Sequence, residues 1–385
     1  MPCQSVLLQA PEYTDEMSDT TYVTQPFLPP LEELQPYLEQ IWANRHLTNR
    51  GPFHEEFERA LGDHLGVEHI SLFTNGTLAL LAALHAVEIS GEVITTPYSF
   101  VATAHALFWG GLKPVFVDIE PNTLNLDPDK IEAAISDDTA AILPVHVYGR
   151  PCDVNAIQSV ADRHDLKVVY DAAHAFDVQD EGGTILRYGD VSILSFHATK
   201  VFTTFEGGAV ISKDSAMKQR VDNFKNFGIA DEVTVVASGI NAKMNEFQAA
   251  LGLLQLDYIE QAIQQRREID ETYRERLAGI RGISCLTPST ARRHNYSYFP
   301  VLVEPDYPLS RDDLYARFRE HNIITRRYFY PLISEFPMYR SVAGASRSNL
   351  PVASATAEKV LCLPIYPGME TERLARVIDI IRPRA

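Results

Sequence analysis

One residue in the 385-residue chain has a type and a setting that could do covalent chemistry, Lys200, and a carboxylate, Asp171, sits at a strand end where binding residues collect. Lys200 closes the run Ser195-Phe196-His197-Ala198-Thr199-Lys200, after the apolar stretch Val191-Ser192-Ile193-Leu194. Ala209-Val210-Ile211-Ser212 follows, entered through Gly207-Gly208. A lysine on a turn between two core strands is partly desolvated, which lowers its pKa and frees the amine to attack a carbonyl. Asp171 ends Lys167-Val168-Val169-Tyr170-Asp171, a strand pattern finishing in a carboxylate. Asn75-Gly76-Thr77 lies between the strand pattern Ile70-Ser71-Leu72-Phe73 and an Ala/Leu-rich helix pattern. A strand, a glycine turn and a helix start in that order point free amides at an anion. Each feature also has a plain structural role: a surface lysine, a capping carboxylate, an ordinary helix cap.

The elements that must position these residues follow from periodicity. Apolar strands alternate with helices over roughly 70–212, which predicts an α/β layered domain with a mainly parallel sheet. In such sheets binding residues collect at the carboxyl ends of the strands, where Asp171 and the turn at Asn75 fall. Residues 1–25 read as a flexible leader, 26–250 as the large domain, and 251–385 as a long bridging helix with a smaller C-terminal α+β domain. Helices are expected over 53–65, from Ser99, and from about Met244 to Leu277, and strands over 70–73, 93–96, 114–118, 167–171, 298–303 and 323–327.

Composition narrows the function. With 51 acidic against 34 basic residues the formal net charge is −17, which argues against nucleic acid and anionic membrane surfaces. Four scattered cysteines give no disulfide or zinc pattern, so a reduced, cytoplasmic setting without a metal is expected. No secretory signal pattern and no membrane-length apolar run is present.

The motifs Asn75-Gly76-Thr77, Thr96-Pro97-Tyr98-Ser99-Phe100, Asp171-Ala172-Ala173-His174, Ser195 to Lys200, Glu206-Gly207-Gly208 and Gly239-Ile240-Asn241-Ala242-Lys243-Met244 occur in an order that resembles the DegT/DnrJ/EryC1/StrS nucleotide-sugar aminotransferases. The resemblance runs from about Phe27 to the C-terminus. It implies the type I aminotransferase fold, a large domain with a mainly parallel, mixed seven-stranded sheet between helices, and pyridoxal phosphate as cofactor, with pyridoxamine phosphate as its aminated form. Lys200 would form the Schiff base and shuttle the proton. Asp171 would face the pyridinium nitrogen, His174 the ring oxygen, and Phe100 would stack on the ring. Gly76, Thr77 and Ser195 would bind the phosphate, with Asn241 reaching it from the neighbouring subunit of a homodimer that shares its active sites. Thr48, Asn49, Arg50, Arg326 and Tyr330 resemble the segments that meet the sugar nucleotide.

The run Pro144-Val145-His146-Val147-Tyr148-Gly149-Arg150 looks most like the branch acting on dTDP-linked 4-keto-6-deoxyhexoses, with L-glutamate as donor. Attack at C3, a UDP-linked substrate, or a non-catalytic regulatory protein on the same fold are the alternatives. Two positions depart from the family pattern: Phe205 stands where glycine is common, and Ile333 where many members carry histidine.

Overall fold

The computed structural model describes residues 19–382. Its centre is a seven-stranded sheet in the order Ile70–Phe73, Gly208–Ser212, Val191–Ser195, Lys167–Asp171, Thr139–Leu143, Glu92–Thr95, Lys113–Phe116. Gly208–Ser212 is antiparallel to both neighbours, and the other ladders are parallel, so the sheet is mixed and mainly parallel. The reversal has a local cause. The loop after Ser195 folds back at once, the Phe196 amide donating to the Gly207 carbonyl (2.8 Å) and the Thr204 amide to the Phe196 carbonyl (3.0 Å). Lys200 rides on this closed loop.

Strands buried on both faces need apolar side chains on both, and helices cover each. One face packs Phe57, Leu61, Leu72, Leu194, Phe196 and Phe202 beneath the helices Pro52–Leu65 and Glu246–Leu277. The other packs Val93, Leu143, Val169, Ile193 and Val210 against the alanine-rich helix Gly76–Ala86 and the helices Ala102–Trp109 and Ser215–Lys225. Alternate residues of one strand, Ile193 and Leu194, thus serve opposite layers.

The 32-residue helix Glu246–Leu277 opens with a capping box in which Asn245 and Gln248 satisfy each other's amides. Ala249, Ala250, Ile259 and Ile263 join the core of the large domain, and Ile269, Tyr273 and Leu277 join that of the small one. The passage between domains therefore falls inside the helix. The small domain holds a three-stranded antiparallel sheet, Ile283–Cys285, Phe299–Val303 and Val360–Leu363, with helices Arg311–Glu320, Pro351–Lys359 and Thr371–Ile381.

Three expectations need correction. Residues 19–25, read as part of a flexible leader, are tied down: Thr21–Tyr22 pairs in parallel with Ile323–Ile324, and the Asp19 carboxylate accepts from Arg376 (2.7 Å); residues 1–18 lie outside the described part. The strand expected over 323–327 stops at Ile324. The helix expected from Ser99 begins at Ala102, because Thr96 Oγ1 accepts the Tyr98 amide (3.1 Å) and gives the backbone a turn instead.

Candidate active site

The carboxyl ends of the strands converge on a cavity of about 750 Å³, within the range of small-molecule sites. Its walls include Gly76, Thr77, Phe100, Asp171, His174, Ser195 and Lys200, seven of the residues singled out from the sequence. Asp171 and Ser195 are the last residues of their strands.

Asn75 caps the helix Gly76–Ala86, its Oδ1 accepting the Leu78 amide at 2.9 Å. The amides of Gly76 and Thr77 precede any intrahelical acceptor and stay available to an anion. The helix end is pressed onto the sheet. A Cβ on Gly76 would lie 2.7 Å from Ser195 Cβ, and one on Gly208 would lie 2.9 Å from the Asn75 backbone. Only glycine at both positions lets the free amides and the Ser195 hydroxyl share one corner.

Asp171 is buried, and burial raises its pKa. Two donors oppose that: Thr103 Oγ1 donates to Oδ2 (2.8 Å) and the Ala173 amide to Oδ1 (3.1 Å). The Ser99 hydroxyl lies 2.8 Å from Thr103 Oγ1 and supports it. Burial pushes Lys200 down to about 8, while Asp171 pulls the other way. Lys200 is part-exposed and lines the cavity, so water reaches the side chain from there. His174 is buried and its pKa lies well below the ordinary value, through burial and then the Lys200 charge. Its Nδ1 accepts the Tyr148 amide (3.3 Å), so Nε2 carries the proton of the neutral ring. Phe329 stacks on that ring at 6.0 Å and Tyr298 meets it edge-on at 4.9 Å. Phe100 is 58% exposed and lines the cavity as a bare aromatic wall.

The remaining sequence-derived residues do not line this cavity. Thr48, Asn49 and Arg50 form an exposed loop held by the Glu246 amide donating to the Leu47 carbonyl (3.0 Å). Asn241 is exposed and bridges to Asn226. Arg326 is exposed and pairs by its backbone with Cys362, and the Tyr330 ring lies under the Arg311 and Arg327 guanidiniums (4.5 and 5.2 Å). Phe205 has φ +66°, the left-handed region that favours glycine, and stacks on Phe247 at 5.4 Å. Ile333 is a core residue, 1% exposed, whose amide donates to the Pro97 carbonyl.

Sequence reasoning gave no role to Ser99, Thr103, His197, Glu206, Tyr298, Tyr328 or Phe329, which also line the cavity. The four-residue spacing of Ser99 and Thr103 was a usable signal; the three aromatic residues enter from the small domain and carry no local one.

The DegT/DnrJ/EryC1/StrS aminotransferase family matches residues 31–382. The chain belongs to this family. It is 53% identical over 369 residues to the dTDP-4-amino-4,6-dideoxy-D-glucose transaminase of Escherichia coli, covering 95% of this chain and 99% of that one. The Shigella dysenteriae transaminase of the same name is 52% identical, with the same coverage. Among solved structures, DesI in the presence of its TDP-sugar product superposes with a TM-score of 0.88 at 35% identity, covering 94% of this chain and 92% of DesI. Helicobacter pylori PseC, an aminotransferase of pseudoaminic acid biosynthesis, gives 0.87 at 27% identity, covering 94% and 98%.

The protein is thus a pyridoxal phosphate-dependent sugar aminotransferase. Its donor set fits that cofactor. An amide-lined helix end with a serine suits a phosphate, a carboxylate accepting from two donors suits a pyridinium, and an amine near pKa 8 suits an aldehyde.

Proposed function

We propose that the enzyme transfers the amino group of L-glutamate to C4 of dTDP-4-keto-6-deoxy-D-glucose, giving dTDP-4-amino-4,6-dideoxy-D-glucose and 2-oxoglutarate. The observation that carries this reading is the 53% identity to the E. coli transaminase over nearly the whole of both chains. The TDP-sugar bound by DesI supports the same nucleotide.

Pyridoxal phosphate, when bound, supplies the aldehyde that takes the amino group and the ring that holds the electrons of the broken Cα–H bond. Lys200 presents the carbonyl-reactive amine and, once displaced, its Nζ moves the proton between the donor's Cα and C4′ of the cofactor. A pKa near 8 leaves a useful neutral fraction at neutral pH. Asp171 would hold a proton on the ring nitrogen, and the Thr103 hydroxyl and Ala173 amide favour its ionised form against the burial that raises its pKa. His174 would donate from Nε2 to the ring oxygen, Phe100 would cover the ring face, and Gly76, Thr77 and Ser195 would hold the phosphate; all five line the cavity, and the Tyr148 amide fixes the His174 tautomer.

The enzyme works as a cytoplasmic homodimer in this reading. Asn241 reaches the phosphate of the opposite active site, and Thr48, Asn49, Arg50, Arg326 and Tyr330 meet the sugar nucleotide. All six are exposed and do not line the cavity of their own chain. Acidic balance, and cysteines Cys152, Cys285 and Cys362 left unpaired among the described residues, suit the cytoplasm.

The test is turnover of dTDP-4-keto-6-deoxy-D-glucose with L-glutamate, the product read by proton NMR. Equimolar 2-oxoglutarate and an equatorial amine at C4 are expected. An amine at C3, equal turnover of a UDP-linked ketone, or no exchange of glutamate nitrogen overturns the assignment.

A further inference from the structure

We propose that Tyr148 is a positioning residue that makes His174 a proton donor toward the cofactor only while the small domain is docked. This role rests on the reading of His174 as the donor to the ring oxygen.

A neutral imidazole carries one proton, and which nitrogen holds it is set by what the other nitrogen meets. His174 is buried, and burial and then the Lys200 charge keep it neutral. Its Nδ1 meets the Tyr148 amide at 3.3 Å, which leaves the proton to Nε2. That amide takes its direction from an unfavourable backbone. Tyr148 has φ +57° and ψ +20°, the left-handed region that a residue with a Cβ occupies only when its surroundings hold it there. Gly149 follows at φ +77°, and a Cβ on it would lie 2.7 Å from the His174 carbonyl and 2.7 Å from Asn295 Oδ1. The turn is thus seated directly on the His174 backbone.

The small domain supplies much of what holds Tyr148. The Ser297 hydroxyl donates to the Tyr148 carbonyl (2.8 Å), and the Tyr148 hydroxyl donates to the Tyr328 carbonyl. The Tyr148 ring lies nearly parallel to that of Phe329, at 8° with 6.1 Å between centroids. Phe329 is in turn parallel to the His174 ring, at 4° and 6.0 Å. From the large domain, the Tyr98 hydroxyl lies 2.7 Å from that of Tyr148. If the small domain swings away, Ser297, Tyr328 and Phe329 leave together and the turn can relax. Nδ1 then loses its donor, and a proton moved to Nδ1 leaves Nε2 as a lone pair facing the ring oxygen. Docking of the small domain and donation by His174 are therefore one event.

The experiment compares Tyr148→Leu, which removes the hydroxyl and the ring but keeps the amide, with Tyr148→Phe and His174→Phe as holoenzymes without substrates. The readout is the pH at which the cofactor's visible absorbance titrates. A donor to the ring oxygen favours its ionised form, so loss of that donor moves the transition to higher pH. His174→Phe and Tyr148→Leu should each raise it by about one pH unit, about tenfold in proton affinity. Tyr148→Phe keeps the ring, and the Tyr98 hydroxyl, 3.2 Å from the Tyr328 carbonyl, takes over the donation, so this variant should restore the unaltered transition. Asp171 and Lys200, the charged groups facing the cofactor from the neighbouring strands and loop, are the same in all of them. A merely structural role for Tyr148 would lower the yield of folded enzyme and leave the transition in place. A second readout needs no cofactor: in apoenzyme labelled with ¹⁵N-histidine, the His174 signals, identified by their absence in His174→Phe, should show a bare Nδ1 and a protonated Nε2. A transition in Tyr148→Leu that coincides with the unaltered enzyme's while that of His174→Phe is raised overturns the proposal, as does a His174 proton on Nδ1. If His174→Phe itself leaves the transition unmoved, the ring-oxygen role falls, and the coupling with it. Should Tyr148→Leu fail to fold, Ser297→Ala, which removes one small-domain anchor, should raise the transition by a smaller amount, and no rise there overturns the proposal.

Discussion

Thr103→Val removes a single hydroxyl at nearly constant shape from beneath the Asp171 carboxylate. Thr103 is 1% exposed and Asp171 5%, so no water replaces the lost 2.8 Å bond at low cost. A hydrogen bond to a charged group contributes roughly 1.5–3 kcal/mol, and about 1.4 kcal/mol corresponds to one pKa unit. The carboxylate would retain the Ala173 amide alone, against a burial that already raises its pKa. Its ionised form is the one that holds a proton on the ring nitrogen. The acid limb of the kcat/KM profile, which reports the Asp171–pyridine pair, should therefore move up by about one to two units. At neutral pH the rate should fall roughly tenfold or more. Thr103→Ser, which restores the donor, should recover most of both. The assay is the pH profile of amino-sugar formation for the three proteins. An acid limb in Thr103→Val that coincides with the unaltered enzyme's refutes the reasoning, whatever happens to the rate.

Other consequences follow from the same geometry. Gly76→Ala sets a Cβ 2.7 Å from Ser195 Cβ and should weaken cofactor binding by about tenfold, measured by equilibrium dialysis of pyridoxal phosphate. In the apoenzyme, Lys200 has its pKa lowered from 10.5 to about 8, so its stabilisation is complete above 10.5 and lost as pH falls through 8. Between those limits, raising the pH should stabilise the unaltered apoenzyme relative to Lys200→Met by about 2 kcal/mol, after discounting for water in the cavity. Urea titrations at the two ends of that window read the difference. Glu246 is 2% exposed and accepts the Phe53 and His54 amides (3.0 and 2.8 Å) at the start of the helix Pro52–Leu65. Glu246→Gln should cost roughly 1–3 kcal/mol in the same titration, with little change in the cofactor's spectrum.

What could be read from the sequence was whatever a strand end carries with it. Asp171, Ser195 and the Asn75 turn each follow a short apolar run, and the sheet then brings such ends together, so their convergence needed only the topology. Thr103 is 68 positions from its partner, and no periodicity links a helix hydroxyl to a distant carboxylate. Phe329, Tyr298 and Tyr328 reach the cavity because the small domain folds back on the large one, a relation set by packing along Glu246–Leu277. The two-residue strand Thr21–Tyr22 is too short to show alternation, and its pairing depends on Ile323–Ile324 three hundred residues away. Phe205 was noticed only as a departure from glycine. Its φ of +66° and its stack on Phe247 are properties of the folded loop, invisible in residue type.

The central claim is that one amine, Lys200 Nζ, is the group that engages the cofactor's aldehyde. Borohydride reduction of the holoenzyme followed by peptide mass spectrometry tests it most directly. The account predicts a single pyridoxyl adduct, on Lys200, that disappears in Lys200→Met; an adduct on any other lysine, or none in an enzyme that still turns over, would contradict it.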